Sequence, residues 1–165
     1  MNIDTLQRFV VFFLFCLTQA LVCNHIQLFH CATPLPYIYF VIMFPRNHPK
    51  WSILLWSFFM GLMIDMFSNT PGLASFSLTL AAAIQPYLLE LFIPRDADEN
   101  IKPSARMLGW DKFITFTTLL VAIFCLTFFT VEAFNFFNWM HWLQCVVGSF
   151  ILTLILVLSL ETIRK

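Results

Sequence analysis

The chain has 165 residues, of which 60% are hydrophobic and 11% are charged. Soluble domains are roughly half apolar and about a quarter charged, so this composition excludes an ordinary soluble globule and indicates a single-domain integral membrane protein. Nine basic and nine acidic residues cancel to a net charge of zero, so overall charge gives no reason to expect a nucleic-acid partner.

The five cysteines do not suggest a disulfide framework or a metal site. Their number is odd, no two have C-x-x-C spacing, and most lie within apolar runs. We interpret them as small hydrophobic side chains. They are Cys16, Cys23, Cys31, Cys125 and Cys145.

The first apolar run follows Arg8 and has some features of a signal peptide. Val22 stands before Cys23 where a lipoprotein cleavage site requires a small residue, and no A-x-A motif follows. We therefore expect this run to be retained as a first span, over residues 9–28.

The second apolar stretch, residues 35–45, contains Pro36 near its start and ends at Pro45. As a helix it covers about 15 Å, half of the roughly 30 Å hydrocarbon core. It is either a short or broken span or a segment that re-enters on the same side. If it crosses, all nine basic residues lie on one side of the membrane, as the positive-inside rule expects. Six crossings with both termini in the cytoplasm is the favoured topology.

Two longer apolar runs, residues 51–67 and 71–93, predict an antiparallel helical hairpin. Ser57, Gly61 and Asp65 are spaced by four residues and share one face of the first helix. Small residues at this spacing allow close packing, which directs Asp65 into the bundle and away from lipid. The second helix has a matching face of Ser75, Thr79 and Ala83.

Prolines punctuate the second helix of this hairpin. Thr70 is predicted to be its N-cap, with Pro71 at the first helical position. Pro86 removes one backbone hydrogen bond, which predicts a kink near Ala82.

Asp65 lies within about one turn of the outer boundary, where a buried charge costs less than at the bilayer centre. We favour a structural role, in which the carboxylate accepts hydrogen bonds from the N–H groups that begin the next helix, near residues 70–73. The alternative is a functional polar contact inside a cavity.

The polar connection over residues 94–112 is predicted to be cytoplasmic. We interpret it as a solvated loop beside anionic lipid headgroups, with a docking site for a cytoplasmic partner as the alternative.

Residues 113–131 and 141–160 predict the last two spans. Tryptophans occur at the expected membrane interfaces, Trp139 and Trp142 outside and Trp51 and Trp110 inside.

No catalytic constellation is apparent, since G-x-S-x-G, H-E-x-x-H, Walker A and G-x-G-x-x-G motifs are all missing from the sequence. We predict a protein that is not an enzyme and has no cofactor.

Asp65 and a few outer-side residues suggest a metal site, but the spacing of five between His25 and His30 puts them on different parts of a helix surface. We expect ordinary interfacial side chains. These outer-side residues are His25, His30, Glu132 and His141.

Four short motifs occur between residues 36 and 88 in an order and spacing typical of one bacterial family. They are Pro36-Tyr37-Ile38-Tyr39-Phe40 running to Pro45, Gly61-Leu62-x-x-Asp65-x-Phe67, Thr70-Pro71-Gly72-Leu73, and Pro86-Tyr87-Leu88. With these motifs the sequence resembles the rod shape-determining protein MreD family.

The resemblance implies a multi-pass protein of the bacterial cytoplasmic membrane that belongs to the cell-elongation machinery. Its implied partners are a bitopic MreC-like protein, an MreB-like actin homologue, and a RodA-like glycosyltransferase with its transpeptidase. It also implies an all-α six-helix fold similar to the substrate-binding subunits of vitamin transporters. No catalytic residue is implied, and Gly61, Asp65, Pro71 and Gly72 carry over as family signature only.

Two functions remain open from the sequence. The favoured one is a non-enzymatic scaffold in which Ser57, Gly61 and Asp65 face a partner's transmembrane helix, unless the hairpin itself uses this face. The alternative is a small-molecule carrier subunit, which requires convergent polar side chains at mid-membrane depth. The candidates for that role are Thr79, Gln85, Tyr87, Thr117 and Thr127.

Overall fold

The computed structural model describes residues 3–21, 33–93, 103–133 and 139–164. Within these residues the regular structure is entirely helical. The helices are α1 (Ile3–Leu21), α2 (Ile38–Ile42), α3 (Lys50–Ser68), α4 (Leu73–Phe92), α5 (Ala105–Leu108), α6 (Trp110–Glu132) and α7 (Trp139–Ile163).

Four of these helices, α3, α4, α6 and α7, are long and apolar enough to cross a membrane. The chain is therefore an all-α membrane protein, and these helices overlap the last four spans expected from the sequence. In the first expected span, α1 ends at Leu21, and residues 22–28 lie outside the described residues. In the second, α2 has only five residues, so most of the expected stretch is not helical.

The start of α4 differs from the sequence prediction. The helix begins at Leu73 with Gly72 as its N-cap, so the assignment of Thr70 as N-cap is wrong. The reason is a tight turn after α3, in which Asn69 (φ 56°) and Gly72 (φ 85°) both adopt the left-handed conformation. Gly72 takes this conformation without a steric penalty, and asparagine tolerates it better than most residues. Farther along, α4 continues through Pro86.

The long helices pack in chain order around a buried centre. α3 packs on α4, α4 on α6, and α6 on α7, while α1 packs on α3. The short helix α2 lies inside and contacts α1, α3, α4 and α6. Side chains from Tyr37 to Ile42 are at most 4% exposed, so the short helix α2 and the residue before it lie in the core of the bundle.

Contacts between sequence-distant residues define one charged end of the bundle. The Arg8 side chain contacts His48 and also lies over the ring of Phe44, 5.5 Å from its centroid. The ammonium of Lys50 lies 4.4 Å from the centroid of the Tyr87 ring. The turn between α3 and α4 is at the opposite end, because α3 and α4 are antiparallel neighbours.

Candidate functional site: a buried segment held by the surrounding helices

The two helices of the hairpin are in direct backbone contact at Gly61. A Cβ atom at this position would lie 2.3 Å from the Cα of Ser75 and 2.9 Å from the carbonyl carbon of Ala74. Ser57 and Asp65, on the same face, are 0% and 6% exposed. This face is therefore used inside the hairpin, the second of the two possibilities left open by the sequence.

Asp65 caps the start of α4. Its Oδ1 accepts hydrogen bonds from the Ala74 N–H at 2.8 Å and the Thr70 hydroxyl at 3.1 Å, and its Oδ2 accepts one from the Ser75 N–H at 2.9 Å. These N–H groups belong to the first turn of α4, where no intrahelical acceptor exists and the helix dipole favours a negative charge. The hydrogen bonds confirm the structural interpretation of Asp65, although the two N–H donors lie one and two residues beyond the expected range of 70–73.

A second polar site lies along one stripe of α7, where four buried residues are spaced by four. Ser149 Oγ accepts a hydrogen bond from the Thr33 N–H at 3.1 Å, and Thr153 Oγ1 accepts one from the Leu35 N–H at 3.2 Å. Both N–H groups belong to a non-helical stretch, so no helical carbonyl group is in place to accept their hydrogen bonds. The residues of the stripe are Ser149, Thr153, Val157 and Glu161.

Two glutamines satisfy carbonyl groups of the same buried segment, which we define as residues 33–45. Gln19 Nε2 donates to the Pro34 carbonyl at 3.4 Å, and Gln85 Nε2 donates to the Phe44 carbonyl at 3.3 Å. An unsatisfied backbone group in an apolar interior costs about 2–7 kcal/mol, and lipid supplies no partner. The buried segment is therefore tolerated because side chains of α1, α4 and α7 bind its backbone.

The last residue of the α7 stripe carries a buried charge. Glu161 is 5% exposed; its Oε2 accepts the Tyr39 hydroxyl at 2.6 Å and its Oε1 accepts the Ala105 N–H at 2.9 Å. Arg164 Nη1 lies 3.8 Å from Oε2 and donates to the Tyr39 oxygen at 3.4 Å. This carboxylate connects α7 with α2 and with the start of α5.

His48 lies in the connection between α2 and α3, outside the membrane-spanning helices. Its imidazole packs edge-on against Phe44 and contacts the Arg8 guanidinium. Burial and the positive charge of Arg8 lower the pKa of His48 below its usual value. The neutral imidazole, which can accept a hydrogen bond from Arg8, is the form that suits this position.

The structure separates the residues selected from the sequence into two groups. Ser57, Gly61, Asp65, Pro71 and Gly72 come together in the hairpin and its turn. At the other end, Pro45 is the last residue of the buried segment and Tyr87 lies under Lys50. Pro36 is buried within that segment, and Pro86 is a partly buried residue of α4.

Sequence reasoning missed the α7 stripe as a site. Its signal in the sequence was three polar side chains of a largely apolar helix, Ser149, Thr153 and Glu161, separated by multiples of four residues. The partners that Ser149 and Thr153 bind lie more than 100 residues away. Within the part of the chain that the structure describes, no three potential ligands group around a metal position. His25 and His30 lie outside the described residues.

Comparisons with known proteins add no relative to this picture. No family model matches the sequence, and no curated protein or solved structure is significantly similar to the chain. The family resemblance therefore rests on the motif residues themselves, and the fold and site on the geometry described above.

Proposed function

We propose that this protein is a non-enzymatic scaffold of the bacterial cell-elongation complex, with six membrane crossings and both termini in the cytoplasm. In this role it brings an MreC-like bitopic protein and an MreB-like filament together with a RodA-like glycosyltransferase and its transpeptidase. It thereby regulates side-wall peptidoglycan synthesis and cell shape in the cytoplasmic membrane.

The observation that carries this proposal is the use made of the buried polar side chains. Asp65 caps α4, and Gln85 and Thr153 bind backbone groups of the buried segment. Glu161 joins three elements. These groups hold the fold together, which is the property expected of a rigid membrane scaffold. Gly61 and Asp65, two of the residues that carry the resemblance to the MreD family, lie where α3 contacts the backbone of α4.

A partner's transmembrane helix requires a surface that the bundle does not use itself. The Ser57–Gly61–Asp65 face is consumed by α4, so the partner helix contacts an outward-facing surface. Association there depends on close packing and interhelical hydrogen bonds, since lipid tails are as apolar as the helix surface.

The proposal is tested by depletion with microscopy, combined with affinity capture from gently solubilised membranes. Loss of rod shape on depletion, with capture of MreC-like and RodA-like proteins, supports it. Unchanged cell shape, with capture of a transporter ATPase instead, contradicts it.

The alternative is a small-molecule binding subunit of a membrane transporter. It is favoured by one feature, the non-helical backbone of residues 33–37 inside a bundle of long helices, because transporters often build their binding sites at such breaks. Mass spectrometry of the purified protein under gentle conditions tests it. Retention of a stoichiometric vitamin-like ligand would favour the carrier function over the scaffold.

A further inference from the structure

Glu161 connects two parts of the chain that are distant from α7 in sequence. One is the buried segment, through the hydroxyl of Tyr39 at 2.6 Å. The other is the connection before α6, through the N–H of Ala105 at 2.9 Å. Tyr39 and Ala105 are 4% and 6% exposed, so both donors reach the carboxylate from inside the protein.

We call residues 103–109 the strap. Pro103 and Ala105 are its buried residues, while Met107 is 65% exposed on the opposite side. Its helix α5 packs on α6, and the bond from Ala105 to Glu161 ties it to α7. The strap is therefore attached to the bundle through a defined hydrogen bond at Ala105. The interpretation of residues 94–112 as a solvated loop stays a prediction, and Arg106, Met107 and Gly109 are exposed.

A buried carboxylate depends on all of its donors. Removing one leaves a desolvated charge with fewer hydrogen bonds, which costs more than an exposed hydrogen bond contributes. The carboxylate then gains free energy by turning toward water, and this weakens its hydrogen bonds to the donors that remain. Here the remaining donors lie on different elements, with Arg164 at 3.8 Å and 35% exposed as a weak third partner.

We infer that Glu161 couples the strap to the buried segment, so that displacing either one loosens the other. Displacement of the strap away from α7 therefore loosens the buried segment, and a shift of the buried segment releases the strap. This reciprocity is a requirement of any linkage between two sites. The inference stands whether or not the scaffold function is correct.

Two substitutions remove one donor each and leave Glu161 in place. Ala105→Pro replaces the N–H at the first position of α5, where proline is well tolerated, with a ring carbon, so it removes the donor and also pushes the strap away from Glu161. The preceding Ser104 already has φ −141° and ψ 154°, the extended conformation that a following proline demands. Tyr39→Phe removes only the hydroxyl on the other side. Thr162→Val is the matched control, because its exposed hydroxyl bonds only within α7, to the Leu158 carbonyl at 2.9 Å.

The measurement is hydrogen–deuterium exchange of the full chain in lipid nanodiscs. In Ala105→Pro we expect amides of residues 39–44 to exchange about tenfold faster, and in Tyr39→Phe we expect the same for residues 107–109. Thr162→Val leaves both regions unchanged. The double variant should resemble the single variants, because either substitution already breaks the connection.

Faster exchange confined to the segment that carries the substitution, or additive effects in the double variant, would overturn the coupling. Because Tyr39→Phe deletes a single oxygen, hydrogen exchange of the strap can be measured in this variant even if Ala105→Pro does not accumulate in membranes. No change at residues 107–109 in Tyr39→Phe overturns the inference by itself.

Discussion

The space that a side chain on Gly61 would occupy is filled by the backbone of Ser75, whose Cα lies 2.3 Å from the missing Cβ. The contact is with backbone, which cannot rotate away as a side chain can. Even alanine at this position must therefore separate α3 from α4, and the Asp65 cap one turn farther along α3 would separate with them.

Replacement of Gly61 is accordingly expected to reduce stability. Gly61→Ala should cost at least about 1–3 kcal/mol, as overpacking usually does, and Gly61→Leu should reduce the folded protein in membranes to a small fraction. The neighbouring Leu62→Ala, on the 38%-exposed outward side, is the control. Thermal unfolding in detergent and membrane abundance measure the effect, and equal values for Gly61→Leu and wild type would contradict the packing role.

The cap at Asp65 predicts a graded series. Asp65→Ala leaves the N–H groups of Ala74 and Ser75 without their acceptor and should lower stability by about 1–3 kcal/mol. Asp65→Asn keeps one oxygen and loses the charge, so it should fall between alanine and wild type. Thr70→Val removes one hydroxyl donor and should cost less than either. Thermal unfolding of the three variants would refute the cap if Asp65→Ala matched wild type.

The α7 stripe predicts that an isosteric change will be costly. Thr153→Val keeps the volume but removes the acceptor of the Leu35 N–H, which should lower stability by about 1–3 kcal/mol. Thr162→Val on the same helix should be nearly neutral, because Thr162 is exposed and bonds to its own helix. Equal unfolding temperatures for the two variants would show that Thr153 does not hold the buried segment.

The environment of His48 predicts a pH dependence. Its pKa in the folded protein is below 6.5, the ordinary value of histidine, so the unfolded chain takes up a proton at higher pH than the folded chain. The contribution of His48 is therefore fully present above pH 6.5 and is lost as the pH falls through the folded-state pKa. Unfolding temperatures are measured for wild type and His48→Gln between pH 8 and 5. The difference between the two proteins should become smaller as the pH is lowered. A constant difference would contradict this.

Local patterns in the sequence were informative where the structure depends on neighbours along the chain. The four-residue spacing of Ser57, Gly61 and Asp65 predicted a close hairpin and a capping carboxylate, and the structure has both. The exact start of α4 could not be predicted, because it depends on left-handed backbone angles at Asn69 and Gly72. Such angles follow from the geometry of the turn as a whole.

The buried segment shows where such patterns stop. Its length and prolines indicated an abnormal second span, yet only the structure shows that Thr33 and Leu35 bond to α7. Nothing in the sequence distinguished Ser149 and Thr153 from the other serines and threonines of the apolar runs. The identity of their partners depends on which helices are neighbours, and hydropathy contains no information about that.

The bonds between residues 33–35 and α7 have a consequence for biosynthesis. Thr33 and Leu35 are made early, whereas Ser149 and Thr153 follow 116 and 118 residues later. During translation the N–H groups of Thr33 and Leu35 lack these hydrogen-bond acceptors until the final helix leaves the ribosome and inserts. Nascent chains that stop short of α7 are therefore expected to be the form that membrane quality-control proteases recognise.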